Sequence, residues 1–237
     1  MLYIQKPENI DVVILCGGKG ERLRSLVNDR PKPMAEFREQ PFLTLLMRYA
    51  HRFGFEKFIL ATGYKGGVIK KYYRRRKLPW KIIYSTEKNL LGTGGALKKA
   101  GRLIKGRYFL VMNGDSFCRL NIKKMLDFHF RKKALLSLGL VRAGNINCGK
   151  VVLDKSQRIM SFEEKARGRE KKWCSAGIYI MDKDIFSFMK KRKRFSLEYD
   201  LFPEVINTKR CFGFKQKLNL VDFGTPTGYQ RAKRLFS

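Results

Sequence analysis

At 237 residues, with 44% hydrophobic and 13% aromatic side chains, the chain can bury one α/β-sized core, is too short for two comfortable domains and is not largely disordered. Its formal net charge of +32, from 52 Lys and Arg against 20 Asp and Glu, draws anions of any kind and says nothing specific about fold. The five cysteines (Cys16, Cys118, Cys148, Cys174 and Cys211) form no C-x-x-C pair and the only histidines are His51 and His129, which argues against a disulfide framework, a thiolate zinc site or a histidine metal site.

No signal peptide or membrane-length apolar run is present, so a cytoplasmic chain with no membrane partner is expected. In chain order, Val12, Val13, Ile14 and Leu15 make an apolar, mostly β-branched run of the kind found in a strand buried on both faces. Gly17, Gly18 and Gly20 follow at once, with Arg22, Arg24, Arg30 and Lys32 close behind. Glycines let backbone N–H groups approach a ligand, so this strand end predicts a phosphate cradle. It is neither a Walker A loop nor a G-x-G-x-x-G dinucleotide fingerprint.

Helical spacing of Phe42, Leu43, Leu45, Leu46, Tyr49, Ala50 and Phe53 predicts a crossover helix ending at Gly54. A strand is expected at Lys57–Thr62, a short basic helix at Val68–Arg76 and a strand at Lys81–Ser85. Glu87 then precedes Leu91-Gly92-Thr93-Gly94-Gly95, which opens a helix running to about Ile104. Its N–H groups could meet an anion or a base edge, or its glycines could serve close packing with Thr93 as cap. Tyr108–Asn113 is the next strand and ends in Gly114 and Asp115, at the sheet edge where open α/β folds bind ligands. A helix follows from Asn121 to Lys132.

In the second half, strands are expected at Ala134–Arg142, Gly149–Leu153, Arg158–Phe162 and Trp173–Met181, a helix capped by Ser196, and a last strand at Leu218–Val221. The basic runs at Lys70–Lys77, Arg167–Lys172 and Lys190–Arg194 read as solvated surface, the middle one also as a lid or rim. The fold class is thus α/β: one domain (1–237) with a doubly wound, mostly parallel, Rossmann-like sheet and a smaller mixed β portion.

Five elements in order, G-G-x-G-x-R-L with Pro31-Lys32-Pro33, L-G-T-G-G, N-G-D, F-x-E-K at Phe162–Lys165 and D-F-G-T-P at Asp222–Pro226, resemble the sugar-1-phosphate nucleotidyltransferases. The resemblance implies the nucleotide-diphospho-sugar transferase fold, with 11–133 as nucleotide half and 134–237 as sugar half ending in a C-terminal helix. It implies transfer of a nucleotidyl group from an NTP to a sugar 1-phosphate, with Mg²⁺ as cofactor. Leu15, Gly17, Gly18, Gly20, Glu87, Gly92 and Thr93 would hold the nucleotide, and Asn113, Gly114, Glu164, Ser175 and Glu198 the sugar. Asp115 and Asp222 would hold the metal, while Arg22, Lys32 and Lys165 would offset phosphate charge.

The segment Ser196–Pro203 (SLEYDLFP) is similar to the guanylyl branch, so GTP is the favoured donor. Cys16, Ala166 and Ser175 depart from the family's usual residues, and Glu21 keeps the uridylyl branch open. A basic nucleic-acid-binding protein is the alternative of a different class, though no nucleic-acid module is matched and no specific nucleic-acid partner is expected. A homo-oligomer is left open.

Overall fold

The computed structural model describes residues 6–20, 30–37, 39–143, 148–166, 172–189, 193–218 and 220–222, with 143, 165, 166, 172, 221 and 222 by backbone alone. In chain order the elements are β1 (Asp11–Cys16), a small hairpin of β2 (Glu36–Phe37) and β3 (Gln40–Pro41), α1 (Phe42–His51), β4 (Lys57–Thr62), α2 (Gly66–Arg74), β5 (Lys81–Thr86), α3 (Gly92–Ala100), β6 (Tyr108–Asn113), β7 (Ser116–Phe117) and α4 (Ile122–Arg131). The second half adds β8 (Leu136–Ala143), β9 (Cys148–Leu153), β10 (Ile159–Ala166), β11 (Lys172–Asp182), α5 (Phe202–Ile206), β12 (Cys211–Gln216) and β13 (Val221–Asp222).

Among the described residues, nine strands share one sheet, in which β10-β9-β11-β6-β1-β4-β5 lie side by side and β8 links β11 to β12. The block β6-β1-β4-β5 is parallel, as expected for strands joined through helices. Beyond it the pairing turns mixed: β11 runs antiparallel to β6, β8 and β9, whereas β12 is parallel to β8.

The apolar run in β1 is continuous because both its faces are covered. Val12 and Ile14 pack into one core with α1 and α4, while Val13 packs into the other with Leu97 of α3 and Phe202 of α5. All three residues are fully buried, so this run has no face for a polar side chain, while Asp11 at the start of the strand is buried against Lys57.

The predicted helix at Asn121 forms with Asn121 as its N-cap, the side chain accepting from the Lys124 N–H at 3.0 Å. Two expectations are corrected. Among the described residues the last predicted strand, Leu218–Val221, gives way to β13, paired with β7, and the longer strand β12 lies upstream of it. That strand was missed because Gly213 interrupts its pattern; a Cβ there would meet Leu140 at 2.4 Å and Leu153 at 2.8 Å, so the glycine serves close packing.

The cysteine expectation also changes, since Cys148 and Cys174 form a disulfide between β9 and β11. Strand pairing sets Cys174 opposite Lys150 and so brings together cysteines 26 residues apart, which spacing alone does not reveal. Cys16, Cys118 and Cys211 are buried thiols. The expected C-terminal helix lies outside the described residues.

Candidate functional site

The C-terminal ends of β1 and β6, the N-terminus of α3 and the inner ends of β9, β10 and β11 surround a cavity of about 480 Å³. Leu15, Gly17, Gly18, Gly20, Lys32, Glu87, Gly92, Thr93, Asn113, Gly114, Asp115, Glu164, Ser175 and Glu198 all line it. Residues read from distant parts of the sequence as nucleotide, sugar and metal contacts thus meet in one place. Arg22 and the stretch after Asp222 lie outside the described residues, and Lys165 and Asp222 are placed by backbone only.

The glycines after β1 have different duties. A Cβ on Gly17 would stand 2.7 Å from Glu87 Oε1, so Gly17 makes room for that carboxylate. Its carbonyl also accepts from the Tyr64 N–H at 3.0 Å. Gly18 has nothing within 4 Å of where a Cβ would be and faces open space. Gly20, at φ +62°, sits over the Lys32 side chain and takes a conformation that favours glycine.

Lys32 follows Pro31 into a short 3₁₀ turn, and its ammonium reaches Asp115 Oδ2 at 2.8 Å. The lysine is nearly buried while Asp115 keeps 45% of its side chain exposed, so the carboxylate remains open to the cavity. Asp115 is carried by the turn after β6, where the Gly114 N–H donates to the Leu15 carbonyl at 2.9 Å. A Cβ on Gly114 would lie 2.6 Å from that carbonyl oxygen, which fixes glycine at this crossing. Asp222 stands opposite Ser116 in the β7–β13 pair, one residue from Asp115 along the chain. Among the described residues no three His, Cys, Asp or Glu side chains form a cation cage.

Glu87 is 8% exposed, and its Oε2 accepts the Leu91 N–H at 3.1 Å. Burial raises its carboxyl above the ordinary value, opposed by that N–H and by the charge of Lys99.

At α3 two of the helix-start donors are already used, in line with glycines serving close packing. The Gly94 and Gly95 N–H groups donate to the Phe195 carbonyl at 3.0 and 3.4 Å, so the protein's own chain satisfies them. The glycines admit that chain: a Cβ on Gly94 would lie 2.3 Å from the Phe195 ring, and one on Gly95 would lie 2.5 Å from the Lys193 carbonyl oxygen. Thr93 is not the cap of α3, whose N-cap is Leu91 without a side-chain bond. It donates instead to Glu198 Oε2 at 2.7 Å and accepts the Leu197 N–H at 2.9 Å.

Ser196 caps the π turn Leu197–Leu201 as expected, accepting from Glu198 N–H and Tyr199 N–H. The residue that reaches back to the Ser196 N–H is Asp200, at 2.7 Å, which leaves Glu198 free of the capping-box role and turned toward Thr93.

Tyr179, Arg194, Cys16, Ser116 and Gly149 line the same cavity without having been singled out as site residues. Arg194 closes a basic run that reads as solvated surface. Tyr179 sits inside an ordinary strand pattern, and only its neighbours in space, Asn113, Ser175, Glu164 and Glu198, reveal its place.

The chain matches a family model described as Nucleotidyl transferase over residues 11–236. It is 35% identical over 225 residues to the D-glycero-α-D-manno-heptose 1-phosphate guanylyltransferase of Aneurinibacillus thermoaerophilus, covering 95% of this chain and 97% of that one. It is 37% identical to the enzyme of the same name from Campylobacter jejuni, covering 93% and 97%. The crystal structure of HddC from Yersinia pseudotuberculosis superposes with a TM-score of 0.86 at 32% identity, over 96% of this chain and all of that one; HddC complexed with GMP-PN gives 0.84. A mannose-1-phosphate guanylyltransferase of Mycobacterium tuberculosis is 32% identical, and 63% of its length is covered.

Proposed function

As the chain belongs to the nucleotidyl transferase family, we propose that it is a sugar-1-phosphate guanylyltransferase that converts GTP and D-glycero-α-D-manno-heptose 1-phosphate into GDP-heptose and pyrophosphate. One observation carries the reading. A single cavity holds an acceptor-only carboxylate, Glu87, and a buried acceptor, Asn113 Oδ1, that has no partner among the described residues. Guanine offers adjacent N1–H and N2 donors for such a carboxylate, and a sugar hydroxyl offers the donor Asn113 lacks.

In this reading an oxygen of the sugar phosphate attacks the α-phosphorus of GTP. That P–O bond forms as the bond to the β-phosphate bridging oxygen breaks, and pyrophosphate leaves with the electron pair. The protein's contribution is alignment of two anions and neutralisation of their charge. Lys32, held at the cavity wall by Asp115, meets the α-phosphate; Arg22 takes the leaving phosphates and Lys165 the sugar phosphate. Asn113, Gly114, Glu164 and Ser175 bind the sugar.

The residues fit a divalent cation. What supports this is that Asp115 keeps a half-exposed carboxylate with Oδ2 paired to Lys32 and Oδ1 left as a hard oxygen donor, and that the Asp222 backbone stands opposite Ser116 in the β7–β13 pair. Asp115 and Asp222 would hold Mg²⁺, which when bound neutralises charge on phosphate oxygens. The reading also assigns the reaction to the cytoplasm and its product to cell-surface polysaccharide. No described helix is long and apolar enough to cross a membrane.

The test is pyrophosphate release from GTP, UTP, dTTP and CTP, each paired with heptose, mannose, glucose and N-acetylmuramate 1-phosphates, with and without EDTA. GTP with the heptose phosphate should give the highest kcat/KM, and EDTA should abolish it. A preference for UTP or dTTP, or for mannose 1-phosphate, moves the chain to another branch of the family.

A further inference from the structure

We infer that Tyr179 and Glu198 are positioning residues that decide which end of the Asn113 amide faces the sugar, an inference that rests on the guanylyl-transfer reading with Asn113 on the sugar side. Tyr179 is 1% exposed, and its ring packs edge-on against Phe202 at 5.3 Å between centroids, so its hydroxyl is held in one place. The hydroxyl donates toward Glu198 Oε1 at 3.5 Å and is approached by Asn113 Nδ2 at 3.4 Å. The other oxygen, Glu198 Oε2, is taken by Thr93 Oγ1 at 2.7 Å and Ser196 Oγ at 2.8 Å.

Donor and acceptor arithmetic fixes the direction of this chain. An ionised carboxylate only accepts, so across the 3.5 Å contact the phenol is the donor and Oε1 the acceptor. A phenol that has given its proton to Glu198 has only lone pairs left for Asn113 and for the Ser175 hydroxyl, which bonds the same phenol. The amide must therefore turn its NH₂ toward Tyr179 and its Oδ1 away from it. Asn113 Oδ1 is the atom left buried without a partner among the described residues, and a ligand hydroxyl can pair with it. Burial, then the Glu198 charge, holds the Tyr179 phenol well above its ordinary value, so it stays protonated and able to donate.

Glu198 in this arrangement is no direct sugar ligand. Glutamine at this position can reverse the chain: its amide donates to Tyr179, Tyr179 then donates to Asn113 Oδ1, and the Asn113 NH₂ is left facing the sugar.

The experiment is a double-mutant cycle on the full chain, with GTP and D-glycero-α-D-manno-heptose 1-phosphate and pyrophosphate release as readout. Glu198→Gln and Tyr179→Phe should each raise the KM for the sugar phosphate about tenfold while changing the KM for GTP less than about twofold. Placed in an Asn113→Ala background, neither substitution should add to the loss. Melting temperatures identify a variant that has merely lost its fold, and Tyr179→Phe, which removes one oxygen, serves if Glu198→Gln unfolds. Full additivity with Asn113→Ala, or an equal rise in the KM for GTP, overturns the inference while leaving the guanylyl-transfer reading intact. A wild-type chain that turns over no sugar 1-phosphate removes both.

Discussion

Glu87 shows how one residue's environment ties specificity to stability. Its carboxylate is nearly buried, one oxygen is bonded to the Leu91 N–H, and Gly17 and Gly63 leave room for the other. Burial raises its folded pKa, so ionising it costs more in the folded than in the unfolded state; the stability it contributes at low pH is lost as pH rises above its ordinary value. Glu87→Gln keeps an oxygen for Leu91 and removes the buried charge. The variant should melt no lower than the wild type at pH 7, yet lose GTP use selectively, because one acceptor for the guanine donors becomes a donor. Competition between GTP and UTP measures this, with a shift toward UTP of about tenfold or more expected for a mispaired buried polar group. Unchanged selectivity would take the base away from Glu87.

At the scale of elements, the two glycine-rich segments look alike in the sequence and differ in use. The segment after β1 opens toward the cavity, whereas that of α3 is filled by the chain at Lys193–Phe195. Gly94→Ala must push the Phe195 ring aside, an overpacking cost of about 1–3 kcal/mol. Gly18→Ala meets nothing and should change stability by less than about 0.5 kcal/mol while raising the KM for GTP, since the added methyl occupies ligand space. Chemical denaturation and steady-state kinetics of the two variants should therefore separate in opposite ways. A Gly94→Ala protein of wild-type stability would mean that the segment at Phe195 does not dock on α3 as described.

For the molecule as a whole, acid stability is expected to depend on His129. It is 1% exposed in α4, with Nδ1 against Ser137 Oγ at 2.8 Å and Nε2 without a partner among the described residues. Burial lowers its pKa from 6.5 to about 3; Asp182 opposes that shift and Arg210 adds to it. A histidine held neutral in the folded state binds its proton first in the unfolded state. Its contribution is whole above about pH 6.5 and is lost progressively as pH falls toward 3, with a slope of at most about 1.4 kcal/mol per pH unit. His129→Asn, which can keep the bond to Ser137, should flatten the stability profile between pH 6 and 4 relative to the wild type. Equal slopes in urea titrations of the two proteins would contradict a buried neutral imidazole.

The order of strands and helices through Asn113, apart from the small β2–β3 hairpin, was legible in the sequence, because local periodicity and burial on both faces of a parallel sheet leave a continuous apolar signature such as Val12–Leu15. The candidate site was legible as residue types, since glycines, carboxylates and lysines carry recognisable chemistry, and ten of them line one cavity together with Leu15, Thr93, Asn113 and Ser175. Strand β12 was not, because its partner β8 lies far away in the chain and supplies the packing that makes Gly213 tolerable. Nor were the Cys148–Cys174 bond, the docking of Phe195 on α3, or the place of Tyr179 among Asn113, Ser175 and Glu198. Each depends on which groups from separate segments come within a few ångströms, and donor and acceptor pairing between them is settled only after the chain has closed on itself.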